Sequence, residues 1–252
     1  MTPGTGRRSV ALMAAGTVAL LAGWEVIGRT QAFGDTWPPL SSVLQLLVSA
    51  SDRSLFLGAA SATASAAGWG YLLGVMAAVA GAALTSLLPA VRHGVDRLAA
   101  VLNAIPVVAL GPLFIVTVGR SGAPVAVAML SVAFTMYVAT TSGLRRDHRS
   151  TGDVFAVLGA RRLSRFGRLE LPAALPTLAD GLRLSAPAAV LGAVLGEWFG
   201  TQSGLGVLIV SAMSNFQITL LWAAALLVVL VSLVAFGALG LLERAVSARF
   251  AS

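Results

Sequence analysis

The 252-residue chain has no cysteine and no lysine. The first absence removes any disulfide framework, thiolate zinc site or thiol nucleophile. The second removes a P-loop lysine, a kinase-type lysine and a Schiff base, so the chain is not itself a P-loop ATPase. Charge is scarce as well. Only 11% of the residues are charged, against about a quarter in a soluble globular domain. The two histidines, His93 and His148, both fall in polar segments, and no metal site is expected. What the chain has in quantity is apolar surface: 57% of its residues are hydrophobic. The implied solvent for most of it is lipid.

A helix needs about 20 apolar residues to cross a bilayer core. Six runs qualify, at 9–28, 58–84, 98–118, 123–142, 177–195 and 218–241. Each must be helical, because lipid offers no partner to a backbone N–H. The fold class is therefore an all-α integral membrane protein with about six transmembrane helices. The first run follows Arg7-Arg8 and also fits a secretory or twin-arginine signal peptide. No soluble domain follows it for export, and a retained helix is the simpler reading. In the second run, Gly58, Ala62, Ala66, Gly70, Gly74, Ala78 and Ala82 recur every fourth residue. Such spacing suits close helix packing, and it also arises by chance in an Ala-rich chain. Pro106, Pro112 and Pro187 predict kinks in the third and fifth runs.

Arginine sets the orientation. With six spans, one side holds Arg7, Arg8, Arg92, Arg97, Arg145, Arg146, Arg149, Arg161, Arg162, Arg165, Arg168, Arg183, Arg244 and Arg249; the other holds Arg29, Arg53 and Arg120. Both termini are expected to be cytoplasmic. Outside then lies 28–57, with Trp37-Pro38-Pro39 and a short interfacial helix over 41–49 capped by Ser41 or Ser42. A tight outer turn is expected at Gly119–Gly122, and an outer loop rich in Gly at 197–217.

Segment 143–176 is the one long polar stretch on the cytoplasmic side. It carries Asp147, Asp153 and Glu170 among seven arginines between Gly143 and Pro172. Val154, Phe155, Val157 and Leu158 make an apolar face behind a capping Ser150, Thr151 or Asp153. Gly159 supplies the turn. A second short helix over 164–169 brings Leu163, Phe166 and Leu169 together, and Leu171-Pro172 leads into the next span. Composition alone leaves two readings of this helix–turn–helix: an interfacial loop on anionic headgroups, or a docking element for a cytoplasmic partner.

Asp153, Gly159, Leu169 and Leu171-Pro172 stand at the spacing of the loop pattern of membrane subunits of binding-protein-dependent ABC importers. That pattern is Glu-Ala-Ala, three residues, Gly, nine residues, Ile, one residue, Leu-Pro. This chain departs from it with Asp for Glu, Val154-Phe155 for Ala-Ala and Leu for Ile. Ile105–Leu113 with Gly119, Leu171–Pro176 with Gly181-Leu182-Arg183, and Glu197 with Ser203-Gly204-Leu205-Gly206 resemble the nitrate/sulfonate/bicarbonate/taurine branch of that family. Trp37-Pro38-Pro39 with Val43 resembles it less closely. The similarity runs from about residue 37 to the C-terminus.

The resemblance implies a type I ABC importer permease fold with a cytoplasmic coupling-helix loop. Residues 1–57 would form an N-terminal helix and outer interfacial segment, and 58–252 a five-helix core. It implies pairing with a second permease subunit, as homodimer or heterodimer, in a bacterial cytoplasmic membrane. A cytoplasmic ATPase dimer would dock below and an extracytoplasmic substrate-binding protein outside. ATP and Mg would sit on the ATPase, with no cofactor on this chain and no nucleic-acid partner. The coupling contact would be made by Asp153, Ala156, Gly159, Arg161, Arg162, Leu163 and Phe166, ahead of the Leu171-Pro172 stop. Arg161 and Arg162 also fit a plain positive-inside reading. The cargo class would be a sulfonate, taurine, nitrate or bicarbonate, although relatives of the branch carry aromatic and vitamin-precursor cargo.

Polar candidates for the path are Asn103, Thr117, Ser131, Thr135, Tyr137 and Gln202. Hydroxyls and amides in spans often bond to neighbouring backbone instead. The competing class is a secondary transporter or channel, which places ionisable groups mid-membrane. Glu25, Asp180 and Glu197 all fall near span ends, and Asp180 and Arg183, three apart on one helix, are within pairing reach. Gly119-Arg120-Ser121-Gly122 matches a G-x-S-G protease pattern. No histidine lies within about 30 Å of that serine, so no catalytic residue is assigned.

Overall fold

The structure is a computed structural model and describes residues 4–145, 159 and 161–250. Its elements are α1 (Gly4–Arg29), α2 (Leu40–Val48), α3 (Arg53–Leu87), α4 (Pro89–Ala104), α5 (Gly111–Leu144), α6 (Arg162–Glu197), α7 (Leu205–Ser214) and α8 (Ile218–Phe250). Five helices are long and apolar enough to cross a membrane: Leu12–Arg29, Arg53–Leu87, Val107–Leu144, Arg162–Glu197 and Ile218–Leu241.

The third expected span, 98–118, is not one helix. α4 stops at Ala104, Ile105-Pro106 is extended, and a 3-10 turn covers Val107–Leu110 before α5 begins. Pro106 has no N–H to donate, which ends α4. The chain still crosses the length of the bundle there. Asp96 lies beside Arg145 at the end where 145–170 emerges (the loop end), and Gly111 lies against the Phe199 ring at the opposite, far end. The expected outer turn is a single-residue break: Gly119, at φ 80 and ψ 170, interrupts α5.

The core is α3, α5 and α6. α3 buries Ala59, Thr63, Ala67, Gly70, Gly74, Ala78, Ala82 and Thr85. Steps of four residues are interrupted by steps of three, as a 3.6-residue turn requires. The strict every-fourth stripe therefore drifts, and Gly58 ends exposed. A Cβ on Gly74 would meet the Met129 carbonyl at 2.7 Å, and one on Gly196 would meet the Pro124 Cα at 2.5 Å. Contacts this close come from small residues, and in lipid such packing holds helices together where hydrophobic expulsion cannot.

α1 and α8 lie outside this core and keep large apolar side chains exposed, including Leu12, Val18, Leu233 and Val234. At the far end Trp24, Trp37 and Trp222 cluster, with ring centroids 4.7–5.8 Å apart. The Trp24 and Trp222 Nε1 groups donate to the Pro38 and Thr36 carbonyls at 3.1 Å. This tethers the outer end of α1 to α8. The short helix expected at 41–49 occurs, at Leu40–Val48, but its N-cap is Pro39 with no side-chain cap. Ser41 instead donates its N–H and hydroxyl to the Glu25 carboxylate on α1, at 2.9 and 2.8 Å.

Candidate coupling loop and substrate path

Asp153 and Ala156 lie outside the described residues. The rest of the expected coupling segment is at the loop end. Gly159 has φ +65, a left-handed conformation that L side chains adopt at a cost. Arg161 is extended at φ −64, ψ 148 and leads into an α-turn at Arg162–Arg165. Phe166–Glu170 is π-helical, and the α-helix resumes at Leu171 with Pro172 in its first turn. Arg161, Arg162, Leu163, Leu171 and Pro172 face outward, Leu163 being 69% exposed. Phe166 turns inward and packs on the α3–α5–α6 core.

Glu170 fastens this segment. Its carboxylate accepts the Ser86 hydroxyl of α3 at 2.6 Å and pairs with Arg165 Nε at 3.1 Å. An exposed turn is thus tied at its base to the end of α3. A second tie lies beside it. Asp96 of α4 accepts the Tyr137 hydroxyl at 2.5 Å and meets Arg145 Nη2 at 3.0 Å and Arg92 Nε at 3.7 Å. The Arg145 hydrogen bond, seconded by Tyr137, holds the Asp96 carboxyl below the usual carboxylate range against some desolvation. A third tie takes the place of the Asp180–Arg183 pair. Asp180 is exposed, and Arg183 bonds Glu243 of α8 at 2.7 Å with its guanidinium 4.2 Å from the Phe236 ring centre.

The six path candidates do not form one site. Tyr137 is buried and its hydroxyl is engaged by Asp96. Ser131 and Thr117 donate to the Val127 and Leu113 carbonyls at 2.9 Å. Thr135 is half-buried on α5, and Asn103 is exposed on α4. Gln202 alone opens onto a cleft of substantial size, about 600 Å³, between α3, the α5 break and the α6–α7 connection.

That cleft is backed by a residue whose burial the sequence did not reveal. Glu197 ends its helix, as its place near a span end predicts, but it is 2% exposed. It accepts the Thr63 hydroxyl at 2.8 and 3.0 Å and the Gly206 N–H at 2.7 Å, while Thr63 Oγ1 accepts the Leu205 N–H at 2.8 Å. Gly204, at φ +140, lies so close that a Cβ there would run into the carboxylate. Ser203-Gly204-Leu205-Gly206 thus wraps the Glu197 head group, joining α3, α6 and α7 at the far end. The signal available was the motif itself: Gly200, Gly204 and Gly206 follow a lone acid within ten residues, with no basic residue between them. Among the described residues no cluster of His, Asp and Glu is arranged to hold a metal ion.

Comparison with known proteins agrees with this architecture. Residues 70–248 match the family described as binding-protein-dependent transport system inner membrane component. The chain is 31% identical over 227 residues to the formylaminopyrimidine transport permease protein ThiX of Halalkalibacterium halodurans, covering 89% of this chain and 90% of that one. It is 35% identical over 143 residues to the riboflavin transport system permease protein RibX of Chloroflexus aurantiacus, covering 56% and 53%. SsuC of Bacillus subtilis, whose name refers to aliphatic sulfonates transport, is 29% identical over 179 residues, covering 71% and 62%. The names differ in cargo and share the word permease; the matched family is a non-catalytic, multi-pass inner-membrane component of a system that works with an ATPase and a binding protein. The chain belongs to the family of binding-protein-dependent transport system inner membrane components, the permease subunits of ABC importers.

Proposed function

We propose that this permease lines the translocation path for a small organic anion and takes its driving motion from a separate ATPase through the 153–172 loop. The supporting observation is the base of that loop. Leu163 and Arg162 are exposed where a partner can grip them, while Phe166 and Glu170 are fixed to the core and to Ser86. A push on the exposed turn therefore reaches α3 and α6 through short, stiff contacts. Rigid-body rocking of packed helices is the usual form of such a transition. In this reading the loop end and both termini face the cytoplasm, and the ATPase dimer binds ATP and Mg there. The binding protein docks at the far end, and a second permease copy or a related chain completes the path.

Support for an anionic cargo comes from the relative whose name cites aliphatic sulfonates. Two other relatives' names cite a formylaminopyrimidine and riboflavin, which are uncharged heteroaromatics. The test is purification of the tagged chain from its own cells in mild detergent, with mass spectrometry of what accompanies it. A P-loop ATPase is expected in the wild-type sample and absent when Asp153→Ala and Gly159→Val are combined. Recovery of the ATPase at equal yield from the double variant would overturn the loop assignment.

A further inference from the structure

We infer that the far-end cleft between Trp69, Arg120 and Gln202 is a contact site for an organic anion with a flat or apolar body. The inference rests on the permease reading and adds to it a place where cargo is held.

The cleft of about 600 Å³ has one arginine and one glutamate in its wall. The glutamate, Glu197, has its carboxylate oxygens taken up by Thr63 and Gly206. Arg120 is exposed, and among the described residues no carboxylate lies within salt-bridge distance of it. An arginine with its fork of donors open to a cleft is suited to carboxylate, sulfonate or phosphate oxygens. Ser65, Ser121 and Gln202 line the same space, and their side chains make no hydrogen bond to the protein among the described residues. Trp69 supplies the other half of the recognition. Its side chain is 60% exposed in the cleft wall. Open indole faces take rings and alkyl chains.

The Gly119 break puts Arg120 there. A helix continued straight through residue 119 would carry Arg120 elsewhere, whereas φ 80 redirects the chain as α5 turns onto the Gly196 face of α6. Glu197 keeps the opposite wall in place by fixing the start of α7.

A cysteine-free chain allows a direct test on the full permease–ATPase complex in nanodiscs. Gln202→Cys is labelled with an anionic and a cationic methanethiosulfonate reagent, read on the permease band. Arg120→Gln should lower the anionic-to-cationic rate ratio about tenfold, the effect of one unit charge several ångströms away in a near-surface dielectric, and Arg120→Lys should leave the ratio nearly intact. Benzenesulfonate at millimolar concentration should slow labelling, and Trp69→Ala should remove that protection without changing the rate ratio. An unchanged ratio in Arg120→Gln, or no protection by benzenesulfonate, overturns the inference. Slowing by phosphatidylglycerol in the nanodisc with none by benzenesulfonate assigns Arg120 to a lipid phosphate and also overturns it. Continued co-purification of the ATPase with these variants separates failure of this site from failure of the permease reading.

Discussion

Replacing Glu197 by alanine is the sharpest perturbation the fold offers. The wild-type carboxylate is 2% exposed and receives the Thr63 hydroxyl and the Gly206 N–H. Alanine leaves both donors without an acceptor, at about 1–3 kcal/mol each, and opens a cavity behind them. The two unpaired donors and the cavity together cost about 3–5 kcal/mol. Glutamine should cost less. Its carbonyl can keep the Gly206 bond, but its NH₂ faces Thr63 Oγ1, which already accepts from Leu205 at 2.8 Å. The assay is thermal unfolding in detergent followed by fluorescence-detected size exclusion. The expected fall for alanine is on the order of 10 °C, with glutamine between alanine and wild type. A cycle with Thr63→Val should show strong non-additivity. An alanine variant within a degree or two of wild type would refute the latch and leave the Gly204–Gly206 wrap without a purpose.

Other perturbations follow the same reasoning. At Gly159, φ +65 predicts that valine abolishes ATP-driven uptake while the protein still inserts, and that asparagine, which tolerates the left-handed region, retains most of it; uptake in proteoliposomes and ATPase rate are measured together. Glu170→Ala, which frees Ser86 and Arg165, should leave ATPase binding intact and lower uptake per ATP hydrolysed several-fold; an unchanged ratio counts against force passing through this tie. Gly196→Val drives a side chain into Pro124 and should destabilise by about 1–3 kcal/mol or prevent folding, read as loss of the monodisperse peak. The Asp96–Arg145 tie is present above the ordinary carboxylate pKa and is lost only as pH falls through the depressed native value. The stability difference between wild type and Asp96→Asn should therefore stay constant from pH 7 to pH 5.

Much of this was legible in the residues. Apolar runs long enough to span gave the helices, and the loop spacing from Asp153 to Pro172 gave the family, since both are local patterns. What escaped was long-range. Glu197 is a boundary residue, as Trp198, Gly200 and Gln202 after it suggest, but its burial escaped because its partner Thr63 lies 134 positions away. Ser41 reads as an N-cap from its neighbours, but its atoms serve Glu25 on another helix. Arg183 has Asp180 within reach one turn away, and the bundle instead offers Glu243 and Phe236. The α3 stripe was right in residue type and wrong in period, because a four-residue repeat drifts off the face of a 3.6-residue helix. Hydropathy also hid the break in the third span, where Ile105-Pro106 is apolar yet extended.

The most direct test of the central claim uses the chain's lack of cysteine. A single cysteine at Leu163, on the exposed turn, is paired with a short bifunctional crosslinker in native membranes, with Gln202→Cys as the far-end control. The account predicts a crosslink from position 163 to a P-loop ATPase, sensitive to ATP, and none from position 202. An ATPase adduct at 202, or none at 163 while the complex still transports, would contradict it.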